Sequence, residues 1–126
     1  MDERDKLIKQ RKTKITKEFN KLKKIFADES EQRQKLAESI LNEMAFIKVQ
    51  LEELKENILR NGVVAIYRNS ATQYGTKRSP ALQSYNALAK TYSTMQKLLV
   101  NDIFKDLDSE QTDELQNFMS EFEDDT

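Results

Sequence analysis

Two glycines and a single proline are spread over 126 residues. Sandwiches and barrels need turn residues at intervals of roughly 8–12 positions. This chain does not supply them, so the expected fold class is all-α. Apolar residues recur at helical spacing throughout, which is the stronger half of the same argument.

Ile8, Ile15, Phe19, Leu22 and Phe26 mark a stripe on a first helix, from about residue 4 to 26. The opposite faces carry Lys9, Arg11, Lys12, Lys14, Lys17, Lys21, Lys23 and Lys24. Residues 28–30 form a break, with Asp28 or Ser30 able to cap the next helix. Leu36, Ile40, Met44, Ile47, Leu51, Leu54 and Ile58 then define a second helix over about residues 31–60. Their spacing is close to a heptad. Leu41, Phe46 and Val49 lie off that stripe, so this helix is expected to pack in two directions and to use them for subunit contacts.

Asn61-Gly62 closes the second helix. Residues 63–67 are short, apolar and β-branched, and fit either a strand or an extended packing segment. Residues 69–78 read as a polar loop flanked by Arg68, Lys77 and Arg78. Ser79 as cap and Pro80 in the first turn restart helix. Ala81, Tyr85, Leu88, Tyr92, Met95 and Leu99 continue it towards Phe104. The second and third helices are expected to form a long antiparallel hairpin. In the last segment, Leu115, Phe118, Met119 and Phe122 give one apolar edge to a very acidic peptide. Peptides of that kind often order on a partner.

Net charge is −1, but the charges are segregated. Residues 1–27 hold ten Lys/Arg against four Asp/Glu, whereas residues 106–126 hold nine acids and no base. Three regions follow: a basic N-terminal helix (1–27), a helical hairpin for the core and oligomerisation (28–105) and an acidic C-terminal segment (106–126). Separate charged surfaces suit separate partners. Lys and Arg on the first helix suit nucleic-acid phosphate, with affinity but no base reading. The plainer reading is a solvated face, or one pairing with acids of a neighbour. Lys77 and Arg78, with Gly75, are the second basic group that can meet a phosphate.

There is no Cys and no His. Thiol nucleophiles, imidazole bases and the usual zinc ligands are therefore absent. No phosphate-binding glycine loop occurs, and the acidic tail lacks the spacing of a calcium loop. The expectation is a non-enzymatic, soluble protein with no cofactor, no metal site and no membrane association. No leader-type apolar stretch is evident at the start, and no apolar run approaches the ~20 residues of a membrane span.

One run of motifs carries a resemblance. It comprises Ala45-Phe46, the segment LEELKENI from Leu51, Asn61-Gly62, Tyr67 with Asn69, GTKRSPA from Gly75, Tyr85-Asn86, and Lys90 with Tyr92. In order and spacing this resembles a short, all-helical family of tailed-phage terminase small subunits, over about half the chain. The resemblance implies a non-catalytic subunit that recognises viral double-stranded DNA and brings it to a large ATPase and nuclease subunit. It also implies a homo-oligomeric ring of roughly eight to eleven copies, working in the host cell cytoplasm. Carried onto this chain, the hairpin builds the ring, with Leu41, Phe46, Val49, Tyr85 and Tyr92 at or near subunit contacts. Lys9 to Lys24, with Lys77 and Arg78, face DNA. Leu115, Phe118, Met119 and Phe122 dock on the large subunit. The chain departs from many such subunits in lacking an evident N-terminal helix-turn-helix. The alternative is a coiled-coil adaptor that binds only proteins.

Overall fold

A computed structural model describes residues 2–68 and 74–121. Four α-helices dominate it: α1 (Glu3–Ile25), α2 (Glu31–Asn61), α3 (Pro80–Leu98) and α4 (Ser109–Ser120). The helical class expected from periodicity is what the chain adopts. A two-stranded antiparallel ribbon, β1 (Val64–Arg68) and β2 (Tyr74–Arg78), lies between α2 and α3. Residues 63–67 are thus mostly strand. The loop reading of residues 74–78 is corrected, because this polar segment pairs its backbone with β1, Val64 opposite Arg78 and Arg68 opposite Tyr74.

Local chemistry sets the helix ends. Asp2 accepts a hydrogen bond from the Asp5 backbone N–H at 2.8 Å, and Ser30 accepts one from Arg33 N–H at 3.2 Å. Each satisfies a donor that the first helical turn leaves without a partner. Gly62 closes α2 at φ 81° and ψ 178°, a region essentially reserved for glycine. At α3 the expected Ser79 cap is only partly realised. Its side chain makes no capping bond, while its N–H donates to Val63 O at 2.9 Å and ties the two ends of the ribbon together. The last helix is capped by Asp108. Asp108 and Gln111 form a reciprocal capping box.

α2 is the central element and packs against both α1 and α3. Arg11 pairs with Glu53 and Glu18 with Lys48, so α1 and α2 run antiparallel. One core joins Leu22 of α1 and Phe26 just after it, Ala37, Leu41, Met44, Ile47 and Leu51 of α2, Tyr92 of α3, and Leu115 and Phe118 of α4. After Leu98 the third helix widens into a π-helical turn, Leu99–Ile103, and the chain then breaks at Phe104. Phe104 stacks on Phe26 with ring centroids 4.3 Å apart. Leu36, expected on the inner stripe, is 65% exposed, and Ala37 takes the buried place beside it.

Candidate functional site

One face of α1 gathers the exposed positive charge. Ile8, Lys12, Thr16, Asn20 and Lys24 form one row at four-residue spacing, Asp5, Lys9, Thr13, Lys17 and Lys21 form the row beside it, and together they line one open surface. Residues at that spacing share a side of a helix. From Lys9 to Lys24 the face is about 22 Å long at 1.5 Å per residue. Lys9, Lys12, Lys17 and Lys24 are exposed, and Lys21 is half-buried, its ammonium 3.2 Å from a Glu18 oxygen.

Other basic residues expected at this interface turn elsewhere. Arg11 donates to Glu53 at 2.8 Å across the α1–α2 groove, and half-buried Lys14 lines the same groove. Lys23 sits 5.4 Å from the Phe19 ring centroid. Lys77 and Arg78 are exposed on β2. The ribbon extends from the C-terminal end of α2, the end beside which the N-terminal half of α1 lies. Lys9 and Lys12 therefore lie towards the same end of the molecule as Lys77 and Arg78, whereas Lys21 and Lys24 lie towards the other.

Beneath the basic helix is a feature that stripe counting over apolar residues missed. Lys48 Nζ donates to Glu18 Oε2 at 2.9 Å, and both side chains are about 1% exposed. Phe118 of α4 lies over the ammonium, 3.8 Å from its ring centroid. A signal was present: Lys48 stands four residues after Met44 and three before Leu51, on the core side of α2. Close by, the Tyr92 hydroxyl is buried without a hydrogen-bond partner. Burial, followed by the negative charges of Glu18 and Glu52, pushes its pKa well above the usual phenol range.

Two expectations change here. Leu41 and Val49 lie off the main stripe, where subunit contacts are expected, yet both are buried within the single chain. Tyr92 is buried too, and Tyr85 is half-buried against the core. Of these five residues only Phe46 keeps a large exposed surface, at 41%. The tail is the second change. Leu115 and Phe118 are buried in the chain's own core and Met119 packs against it, so this edge is not presented for docking. The reason is that α1 and α2 already offer an apolar groove with a buried cation that an aromatic ring can cover. Phe122 lies outside the described residues.

Among the described residues no group of His, Cys, Asp or Glu is placed to hold a metal ion, and no helix is long and apolar enough to cross a membrane. Comparison with protein-family models, curated proteins and solved structures finds no match.

Proposed function

We propose that this chain is a phage terminase small subunit. It is a non-catalytic, DNA-binding component that assembles as a ring and delivers viral double-stranded DNA to a large ATPase and nuclease subunit in the host cytoplasm. The observation that supports this best is the continuous basic face of α1. Duplex DNA carries one charge per ~1.7 Å of axis, so a 22 Å face lies along about 13 phosphate charges. Five lysines give only weak contact with such a lattice, and repetition around a ring multiplies it. The motif run from Ala45 to Tyr92 spans the second half of α2, the ribbon and about the first two-thirds of α3, which suits one unit that a ring wall repeats. In this reading α2 and α3 form the wall as a helical hairpin, with Phe46 and the exposed Leu36 and Leu98 at its seams. The acidic outer face of α4 steers encounter with the large subunit; engagement through Leu115 and Phe118 requires α4 to leave its groove.

The adaptor reading draws on a different observation. Arg11 and Lys21 are already paired with acids of their own chain, which lowers the charge available to DNA. Two measurements separate the readings. Light scattering should give the mass of many subunits. A salt titration of duplex binding should give a steep slope, falling by about 2.7 when Lys9, Lys12 and Lys24 are replaced by Gln, at ~0.9 per phosphate contact. Absence of duplex binding at low salt favours the adaptor, and a stable monomer removes the ring.

A further inference from the structure

α4 is attached to the rest of the molecule in an unusual way. Two buried side chains, Leu115 and Phe118, hold it, with Met119 and Leu107 packed at the margin. Gln111 adds two long hydrogen bonds, to Ile25 O at 3.4 Å and to Glu29 Oε1 at 3.5 Å. Its acids Glu110, Asp113 and Glu114 all face solvent. At 12 residues it is too short to persist as a helix without its groove. The groove is equally dependent on the helix. Without Phe118 overhead, the Glu18–Lys48 pair and its apolar surroundings lie open to water. The groove therefore needs a cover of particular chemistry: an acidic helix with Leu and Phe three residues apart, beside a basic helix. The described structure contains one such helix, and every further copy of the chain brings another.

We infer that the α1–α2 groove is an exchange site, filled either by the chain's own α4 or by the α4 of a neighbouring copy. This rests on the assembled state proposed above. The exchanged contacts are identical to the internal ones, so the choice between them is set by the hinge and by proximity, the condition under which elements swap. The hinge is residues 105–108, because Phe104 is fixed on Phe26 before it and Asp108 caps α4 after it. Four residues reach at most ~14 Å. A neighbour that lends its α4 must therefore hold its Phe104 close to the recipient's Ile25–Glu29 corner, where Gln111 is received. The C-terminal end of α1 becomes a subunit boundary, and each groove is completed by Leu115 and Phe118 of the adjacent copy.

The chain has no cysteine, so introduced thiols report without background. Chains carrying Glu29→Cys and chains carrying Gln111→Cys, with different tags, are mixed, assembled and treated with a short bismaleimide. Exchange predicts a cross-link between the two tags. The double variant should give covalent ladders in addition to the internally linked monomer. A control mixture of Glu43→Cys and Gln111→Cys, which pairs the exposed Glu43 position of α2 with the tail, should stay at background. Cross-linking confined to single chains, or equal yield from the control, overturns the inference. The mass of the untreated mixture is read in parallel. A large assembly without cross-chain links rejects exchange and leaves the ring; a monomer rejects both.

Discussion

Replacing Lys48 by Met is the sharpest probe of what holds this protein together. The substitution keeps most of the aliphatic stem and removes the ammonium. Glu18 is then left as a carboxylate about 1% exposed, with Lys21 at 3.2 Å as its remaining cation. Removing one partner of a buried pair costs about 3–5 kcal/mol. Lys21 compensates in part, which places the expected loss near 3 kcal/mol. Loss of the cation over Phe118 adds ~1 kcal/mol. For a chain of this size, the combined loss of about 4 kcal/mol lowers the melting temperature by roughly 15 °C. Glu18→Leu alone should be similarly costly, because it strands Lys48. The double variant should recover most of the loss, since a well-packed apolar replacement of a buried pair is often neutral or stabilising. Urea unfolding followed by far-ultraviolet circular dichroism, at one fixed protein concentration, gives all four corners of the cycle. Single variants within ~1 kcal/mol of the parent would refute the reasoning, because they would mean that water reaches the pair.

Two further substitutions test particular contacts. Tyr92→Phe removes a buried hydroxyl that has no partner, so stability should hold or rise by ~1 kcal/mol; a loss of that size in urea would reveal a bonded hydroxyl. Because the folded phenol's pKa is raised above the ordinary value of 10.0, its contribution is complete below pH 10 and declines at higher pH, as the unfolded chain releases the proton first. The Phe variant should show a shallower alkaline decline in melting temperature, and identical slopes would count against this. Gly62→Ala should cost about 1–3 kcal/mol although nothing lies within 4 Å of the added Cβ, because the strain is in the backbone. An unchanged urea midpoint would contradict it.

The helices were legible because their apolar residues recur at helical spacing and because Gly62 and Pro80 punctuate them. α2 was expected to end one residue before its observed end at Asn61. β2 was not legible. Its sequence, Tyr-Gly-Thr-Lys-Arg, has no alternating apolar face, and its identity comes from backbone pairing with β1. The apolar edge of the tail was visible at Leu115 and Phe118, but its partner was not. Charge suggested a solvated peptide awaiting another protein, whereas the groove that receives it is built some 86 residues earlier, as the Gln111–Ile25 contact illustrates. Lys48 and Glu18 were overlooked because a search for stripes counts apolar residues and passes over charged ones on the same inward line. Lys9, Lys12, Lys17, Lys21 and Lys24 share one side of α1, but Ile8, expected on the apolar stripe, lies exposed among them. Which bases turn towards α2 depended on where Glu53 stands, and that is set by tertiary packing.

Placing the cover of the core well after α1 and α2 in the chain also has a consequence in time. Chains emerge N-terminus first, at about 5–20 residues per second. Contacts between α1 and α2 are available as soon as residue 61 has been made. Leu115 and Phe118 follow only after more than fifty further residues. For about 3–11 s, at that rate, each nascent chain carries the Glu18–Lys48 pair without Phe118 as its lid. On a message read by several ribosomes, neighbouring nascent chains pass through this uncovered stage side by side. A finished chain's α4 can then meet an open groove before that groove's own helix exists. The order of synthesis thus gives copies of this protein an early opportunity to find one another.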